Sequence, residues 1–224
     1  MPLPNVILPG YLAGARDYDD LAQTLTKMGF PTVIVPLRWW EWVPTVGGRS
    51  IAPILKQLDQ AVKQVCQQFD TPKINLIGHS AGGWVARIYL GEVAYYDKVW
   101  HGQTSIAKLV TLGTPQRSLE PWTRRNLDFV NDNYPGAFHP DVEYVCVAGK
   151  SVYGEKKLGQ WLAYSSYELT CGTGNTWGDG ITPIEAAHLD GAKNLVIEKA
   201  NHSPKSTLWY GSPEILPTWA TYLG

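Results

Sequence analysis

Short apolar runs alternate with segments of helical periodicity along most of the chain. Six runs have the length and apolar composition of buried parallel strands, at residues 6–8, 32–35, 74–77, 106–112, 142–147 and 194–197. Between them, apolar residues recur every three or four positions, most clearly over residues 51–69, which predicts a long amphipathic helix. Because strands and helices alternate, we predict an α/β fold, with a doubly wound, mainly parallel sheet covered by helices on both faces.

Two segments interrupt this alternation. Residues 116–141 are polar and contain proline, with one predicted helix near 121–130, whereas residues 151–178 are rich in Tyr, Gly and Trp. Other helices are predicted at residues 17–28, 84–93 and 215–223. A chain of 224 residues suits one domain with a sizeable core. We therefore predict a single domain over residues 1–224, in which the two interruptions form at most a partial cap, so that any lid is small or absent.

The pentapeptide Gly-His-Ser-Ala-Gly at residues 78–82 lies between a predicted strand and a predicted helix. A Gly-x-Ser-x-Gly pattern in this context is typical of a nucleophile elbow. Side chains two residues before and after Ser80 would collide with the neighbouring strand and helix, and Gly78 and Gly82 remove them. Since such pentapeptides also occur by chance, as glycine-rich turns with an incidental serine, the rest of the chain must decide between the two interpretations.

A serine hydroxyl becomes a nucleophile only with a base to take its proton and an acid to orient that base. Of the five histidines, His202 alone comes late in the chain and directly after the last predicted strand. Asp179, in a Gly-Asp-Gly turn, precedes that strand and is the preferred acid. Asp190 is the alternative acid, although it lies where the chain has reached the opposite edge of the sheet. We predict that Ser80, His202 and Asp179 form a catalytic triad.

An oxyanion hole needs two backbone donors near the serine. The N–H of Ala81, at the start of the helix after Ser80, is the first predicted donor. The loop that follows the first strand supplies the second, because Gly10 permits close backbone approach and Tyr11 follows it. Tryptophans are unusually frequent, and loop tryptophans often only pin loops to the core. Five of them are nevertheless candidates for the wall of an acyl or aromatic pocket: Trp39, Trp40, Trp42, Trp122 and Trp177.

Charge and cysteine content exclude several other classes of protein. The 19 basic and 20 acidic residues balance to a net charge of −1, which indicates neither a nucleic-acid partner nor an anionic membrane surface. The three cysteines lack the spacing of a zinc site or a disulfide framework, so a reducing compartment is expected. No metal or organic cofactor is predicted, because no His/Cys/Asp cluster has ligand spacing. Without a visible signal peptide or transmembrane run, we expect a soluble, cytoplasmic protein.

Four motifs in this order resemble the α/β-hydrolase superfamily: Gly78–Gly82, Gly113-Thr114-Pro115, Gly178-Asp179-Gly180 and His202. The strand ending and the acid loop are similar to the lipase/esterase branch, which includes bacterial class 2 lipases and inositol deacylases. Residues 134–149, the acid loop and residues 209–213 look most like a group of cyanobacterial and plant plastid hydrolases. The resemblance covers nearly the whole chain, and implies the α/β-hydrolase fold and a serine triad.

The predicted activity is hydrolysis of a carboxylic ester, either a small molecule or a lipid, through an acyl-enzyme. Thioesterase, acyltransferase or amidase chemistry on the same triad is the nearest alternative, since these motifs do not specify which nucleophile resolves the acyl-enzyme. A non-catalytic binding module on the same fold is less favoured, because such proteins usually lose the nucleophile or the base. The modest size of the two interruptions argues against activation at a lipid interface.

Overall fold

The computed structural model describes residues 2–224. Its strands, in chain order, are β1 Asn5–Leu8, β2 Thr32–Ile34, β3 Ile74–His79, β4 Ile106–Leu112, β5 Glu143–Lys150, β6 Val152–Tyr153, β7 Trp177–Gly178 and β8 Lys193–Glu198. Within the described residues, six of these strands form one sheet in the order β2-β1-β3-β4-β5-β8, and every neighbouring pair is parallel. The two short strands β6 and β7 pair with each other in antiparallel orientation.

Helices follow most strands of the sheet. The α-helices are α1 Asp19–Lys27, α2 Ala52–Gln68, α3 Ala81–Leu90, α4 Pro121–Asn133, α5 Trp161–Cys171, α6 Ile184–Ala187 and α7 Pro217–Ala220, and shorter 3₁₀ turns lie at Ala15–Tyr18, Trp39–Thr45, Gly102–Thr104 and Thr221–Leu223. The predicted amphipathic stretch is α2, which carries a proline in its first turn, where a missing N–H costs no helical hydrogen bond.

Apolar side chains fill two cores, one on each face of the sheet. Because side chains alternate along a strand, Val6 and Leu8 of β1 pack on one face with α2, α3 and α4, whereas Ile7 packs on the other with α1 and α7. Such burial on both faces explains why the strands appear in the sequence as continuous apolar runs rather than as alternating ones. The predicted doubly wound parallel sheet with helices on both faces is confirmed.

The order of the strands places a crevice at one edge of the sheet. From β1 the chain moves outward to β2 and then returns to the other side of β1, where β3 lies. At such a switch point the loops leaving the two central strands diverge, and ligands bind in the crevice between them. The loops after β1 and β3 are those that contain the predicted oxyanion donors and Ser80.

Differences from the predicted elements are concentrated in the two interruptions. The first contains α4, as predicted, whereas residues 151–178 contain β6, α5 and β7, none of which was predicted. The predicted C-terminal helix is α7 followed by the 3₁₀ turn Thr221–Leu223. Among the described residues, no helix is both long and apolar enough to span a bilayer.

Candidate active site

Ser80 occupies a sharp turn between β3 and α3. Its φ of 52° and ψ of −126° place a non-glycine residue in a strained part of backbone space. A Cβ atom at Gly78 would lie 2.6 Å from Gly83 Cα, and one at Gly82 would lie 2.8 Å from the carbonyl oxygen of Pro9. Glycine at positions 78 and 82 therefore lets strand, turn and helix approach closely enough to hold the serine in this conformation.

A continuous chain of hydrogen bonds joins three loops at the carboxyl edge of the sheet. Ser80 Oγ lies 2.9 Å from His202 Nε2, and His202 Nδ1 lies 2.7 Å from Asp179 Oδ2. The N–H of His202 also donates to the main-chain oxygen of Asp179, at 2.9 Å, which fixes the two loops against each other. The structure thus brings together the serine, histidine and aspartate that the sequence indicated.

Asp179 is buried, and four donors surround its carboxylate. Oδ1 accepts the N–H groups of Ile181 and Thr182, at 3.0 and 2.7 Å, and Oδ2 accepts His202 Nδ1–H and, at 2.7 Å, the hydroxyl of Tyr210. Burial alone would raise the pKa of Asp179, but the charge of His202 and these hydrogen bonds together hold it below its usual value. The carboxylate therefore stays ionised beside the imidazole.

Tyr210 is a residue of this site that the sequence analysis gave no role, although it lies in the 209–213 run noted there. Its fully buried hydroxyl accepts the N–H of Gly149, at 2.9 Å, and donates to Asp179. Burial, and then the adjacent Asp179 charge, raise the pKa of Tyr210 well above its ordinary value, so the hydroxyl remains a donor. No local pattern marks such a residue, because the contact joins positions 31 residues apart.

Asp190, the alternative acid, lies elsewhere. It is exposed in the turn before β8, at the amino end of that strand, and its main-chain oxygen accepts the N–H of Ala137. His202 follows the carboxyl end of the same strand. The two residues are therefore at opposite edges of the sheet, as the sequence analysis expected.

A second, buried chain of hydrogen bonds links the loop after β1, the end of β3 and the loop that contains His202. The N–H of Gly10 donates to the Tyr18 hydroxyl, at 2.9 Å, which lies 2.7 Å from His79 Nδ1. His79 Nε2 in turn lies 2.9 Å from the carbonyl oxygen of His202. Since that oxygen can only accept, Nε2 carries the proton of His79, and the Tyr18 hydroxyl donates to Nδ1. One tautomer satisfies every member of the chain.

His79 comes directly before Ser80, and the sequence analysis assigned it no catalytic role. In the structure its ring is buried and both of its nitrogens have partners. Burial, followed by the adjacent His202, lowers the pKa of His79 to about 3. The ring therefore stays neutral near pH 7 and does not repel a protonated His202, whose ring centroid is 4.9 Å away.

The two predicted oxyanion donors lie on either side of Ser80. Neither the N–H of Tyr11 nor that of Ala81 has a hydrogen-bond acceptor within residues 2–224. A Cβ atom at Gly10 would lie 2.9 Å from Ser80 Cβ, so the loop after β1 can approach the serine only because residue 10 is glycine. Both N–H groups are therefore available to a ligand beside the serine hydroxyl.

A cleft of about 310 Å³ opens over Ser80 and Ala81. Its apolar wall comes from the loops after β1, β4 and β7 and from α3, α4 and α5: Leu12, Pro115, Ile181, Trp84, Trp122 and Leu169. The cleft thus offers an apolar surface directly beside the serine.

Among the described residues, no group of three or more His, Cys, Asp or Glu side chains converges as metal ligands would.

The five tryptophans considered for the pocket are dispersed. Trp122, on α4, lines the cleft and is largely exposed. Trp39 and Trp40 belong to the 3₁₀ turn Trp39–Thr45 and border a separate groove. Trp42, in the same turn, is fully buried in the core. Trp177 lies on β7, where it packs against Tyr153 outside the cleft. Trp122 alone among these five, all within the described residues, contributes to the wall beside Ser80.

The chain has the α/β-hydrolase fold, with a six-stranded parallel sheet and a serine at the turn between β3 and α3. A family model described as "Alpha/beta hydrolase of unknown function (DUF915)" matches residues 47–156, just under half of the chain, and supports assignment to the α/β-hydrolase superfamily. No curated protein matches the chain by sequence.

Several solved structures share the fold along nearly the whole chain. A proposed cell surface hydrolase from Lactobacillus plantarum superposes with a TM-score of 0.59 at 15% identity, covering 99% of this chain and 91% of that one. The lin2722 product of Listeria innocua gives 0.55 at 15% identity, with 99% and 94% covered. An alpha-beta serine hydrolase homologue from Coxiella burnetii gives 0.51 at 15% identity, with 99% and 83% covered. At this level of identity the similarity establishes the fold.

Proposed function

We propose that this protein is a serine hydrolase that cleaves carboxylic esters. The α/β-hydrolase fold supports a hydrolase. The observation that carries the more specific proposal is the hydrogen-bond chain from Ser80 Oγ through His202 to Asp179, placed at the switch point of the sheet and beside an open cleft. The motifs that resemble the lipase/esterase branch favour an ester over other acyl substrates.

In the first half of the reaction, Ser80 Oγ forms a bond to the ester carbonyl carbon while His202 Nε2 takes the hydroxyl proton. The carbonyl oxygen becomes an oxyanion and accepts hydrogen bonds from the N–H groups of Tyr11 and Ala81. Asp179 holds Nδ1–H of His202 and stabilises the imidazolium. When the tetrahedral intermediate collapses, the bond to the leaving oxygen breaks, and that oxygen takes the proton from His202 Nε2.

In the second half, a water molecule replaces the alcohol. His202 Nε2 takes a proton from the water as its oxygen bonds to the acyl carbon, and the same two N–H groups bind the second oxyanion. Collapse of this intermediate breaks the bond to Ser80 Oγ, which recovers its proton from His202. The carboxylic acid leaves, and the enzyme returns to its starting state.

The cleft beside Ser80 is proposed to hold the acyl group. Its apolar wall suits a hydrocarbon chain, and a volume of about 310 Å³ is at the lower end of typical small-molecule sites. Because α4 and α5 form much of that wall, the two interruptions of the α/β pattern, residues 116–141 and 151–178, serve as the proposed partial cap.

The proposal is tested with p-nitrophenyl esters from acetate to palmitate, using wild type and Ser80→Ala. We expect hydrolysis by the wild type, fastest for short or medium acyl chains, and a loss of at least about a thousandfold in kcat for the variant. Thermal unfolding should be nearly the same for both proteins, because Ser80 Oγ is a small, partly exposed hydroxyl.

Equal hydrolysis by wild type and Ser80→Ala would contradict the proposal. If wild type cleaves none of the esters, labelling with a fluorophosphonate decides the matter. Covalent modification of wild type and not of Ser80→Ala would show an activated serine with a narrower substrate range, whereas no modification would favour a binding module on this fold.

A further inference from the structure

Glu120 is the only residue with a full charge near pH 7 among the described residues that line the cleft beside Ser80. It directly precedes α4, and its Oε2 accepts the hydroxyl of Thr123, which also lines the cleft, at 3.2 Å. Burial raises the pKa of the Tyr11 hydroxyl, a hydrogen bond with Thr45 lowers it, and the charge of Glu120 adds a smaller rise. The carboxylate therefore lies near both α4 and Tyr11, which border the cleft.

No cation in the described part of the chain neutralises this carboxylate. Glu120 forms no ion pair there, and its Oε1 has no donor. The nearby arginines of α4 have other partners, since Arg124 pairs with Asp128, at 3.3 Å, and the guanidinium of Arg125 lies 5.9 Å from the centre of the Tyr96 ring. Because apolar walls lower the local dielectric constant, a ligand cation would stabilise this carboxylate more than it would one in open water.

Most hydroxyl groups of the cleft also present acceptors rather than donors to a ligand. Three of them donate their protons to main-chain oxygens of the protein, at 2.7, 2.8 and 2.9 Å: Ser166, Thr170 and Thr182. The proton of the Thr123 hydroxyl goes to Glu120. Each hydroxyl has one proton, so the lone pairs of its oxygen are what remains for a ligand. The lining therefore favours a ligand that supplies donors.

A protonated primary amine matches this lining. An ammonium group carries a positive charge and three donors, and it has no acceptor. It can pair with the carboxylate of Glu120 while it donates to hydroxyl oxygens of the wall, and the aromatic rings of Tyr11 and Trp122 on the same wall attract a cation as well. A ligand carboxylate would meet the like charge of Glu120, and a plain alkyl group would leave that charge without a partner.

We propose that Glu120 determines the acyl specificity of the site, and that the acyl group ends in a primary ammonium group. The inference rests on the proposed ester cleavage at Ser80 and names the acyl class. The substrate is then an ester of an amino acid, with its carbonyl carbon at Ser80 and its ammonium group beside Glu120. A volume of about 310 Å³ suits an acyl group of this size.

The test compares ethyl esters that differ only at the far end of the acyl chain. Ethyl 6-aminohexanoate, ethyl heptanoate and monoethyl pimelate end in an ammonium, a methyl and a carboxylate group, and the ethyl esters of β-alanine and butanoate repeat the first comparison on a shorter chain. At pH 7 we expect kcat/KM for the ammonium ester to exceed that for the methyl ester by roughly tenfold at one or both lengths, the size of one hydrogen bond to a charged group, with monoethyl pimelate the slowest. In Glu120→Gln this ratio should fall close to one, although glutamine retains an acceptor for the Thr123 hydroxyl.

The matched control is Glu214→Gln, which removes the same charge from an exposed position that does not line the cleft. Its ratio of ammonium to methyl ester should be that of wild type. Because a carboxylate at the N-terminus of α4 also stabilises the helix, Tm is measured for each variant. A lower Tm of Glu120→Gln with an unchanged ratio would mean that Glu120 serves only the helix, and would overturn the inference.

Two further results would overturn it: equal kcat/KM for the ammonium and methyl esters of both lengths in wild type, or a Glu120→Gln variant that slows both kinds of ester by the same factor. p-Nitrophenyl butyrate separates this inference from the proposed function. Its Ser80-dependent hydrolysis without a preference for an ammonium ester overturns only the acyl class, whereas no Ser80-dependent hydrolysis of any ester overturns both.

Discussion

Asp179 is a buried carboxylate that stays charged because each of its oxygens accepts two hydrogen bonds. Asp179→Asn keeps the shape of the side chain but replaces one oxygen by a donor. His202 would lose the acceptor that holds its Nδ1–H, and the ring would favour the tautomer that cannot take the proton of Ser80. We expect kcat to fall by about three to four orders of magnitude with a small change in KM, measured on the best p-nitrophenyl ester.

Asp190→Asn is the matched control for this prediction. It makes the same chemical change in an exposed turn at the opposite edge of the sheet. Its kcat should remain within a factor of two of wild type, since it changes no contact of His202. If Asp190→Asn were the damaging substitution and Asp179→Asn the mild one, the acid would have to be reassigned.

The Tyr18 hydroxyl joins the loop after β1 to His79 and, through His79, to the loop that contains His202. Tyr18→Phe leaves the N–H of Gly10 and Nδ1 of His79 without partners, so both the loop after β1 and the main chain of His202 lose their support. Small displacements of catalytic groups are costly, and we expect kcat to fall by roughly ten- to a hundredfold with little change in KM. The variant should also unfold at a lower temperature, because buried polar groups are left unpaired.

Tyr95→Phe separates a loss of positioning from a loss of stability. Tyr95 is as buried as Tyr18 and has the same bonding pattern, since its hydroxyl accepts the N–H of Ile51 and donates to Asn126 Oδ1, at 3.1 and 2.6 Å. We expect a comparable loss in Tm but normal kcat in the remaining folded protein. Equal effects of the two substitutions on kcat would mean that Tyr18 acts only through general stability.

At the scale of elements, the site depends on how closely α3 packs against the end of β1. Gly82, in the first turn of α3, leaves no room for a Cβ atom, which would lie 2.8 Å from the carbonyl oxygen of Pro9. Gly82→Ala should therefore push the helix away from the loop that contains Tyr11, and separate the N–H groups of Tyr11 and Ala81, the two proposed oxyanion donors. We expect about 1–3 kcal/mol lower stability in urea unfolding, with a lower kcat in the folded protein.

Gly14→Ala is the control for an added methyl group near the same loop. Gly14 has an extended backbone, and the nearest atom to an added Cβ lies 3.4 Å away, an ordinary contact. It should change stability by less than about 0.5 kcal/mol. A Gly82→Ala variant with normal stability and normal kcat would show that this close approach is not needed.

The sheet and most of its helices could be predicted from the sequence because burial on both faces leaves long apolar runs. The run at 106–112 coincides with β4, and α2 differs from its predicted range by one residue at each end. By contrast, α5 has apolar side chains on both sides: Tyr167 is buried, whereas Leu162 and Leu169 are exposed. With no contrast between faces there is no helical period to detect, and the two-residue strands beside it are too short to leave any pattern.

Some residues of the site could likewise be predicted from the sequence, whereas others could not. Ser80, Asp179 and His202 could be predicted to lie together because the chain order places each of them after a strand, and Ser80 also lies in a sequence motif. Tyr18 and Tyr210 have no such mark, since each acts through a single hydroxyl on a partner 31 or more residues away. Topology can therefore be used to predict which polar side chains meet at the edge of the sheet, whereas the side chains that orient them become visible only when the loops are placed in space.

For the whole molecule, burial of neutral histidines predicts sensitivity to acid. Burial lowers the pKa of His79 from 6.5 to about 3, and also lowers the pKa values of His139 and His188. Between pH 6.5 and 3, the unfolded chain binds a proton at position 79 that the native protein does not. Stability is then fully present above the unfolded pKa and falls with pH below it. Asp179, whose native pKa is also lowered, acts in the same direction only at still lower pH.

Urea unfolding at pH 7, 6, 5 and 4.5 measures this effect. We expect the free energy of unfolding to fall below pH 6.5, with His79 contributing up to about 1.4 kcal/mol per pH unit. His79→Gln retains a donor toward the carbonyl oxygen of His202 but cannot be protonated, so its stability should depend less on pH, although it is lower at pH 7. His101→Asn, which removes an exposed histidine, should retain the slope of wild type. If the free energy of unfolding of His79→Gln depended on pH as steeply as that of wild type, the acid sensitivity would be assigned to His139 and His188 instead. That result would also mean that His79 can take up a proton in the native protein without disturbing the loop that holds His202.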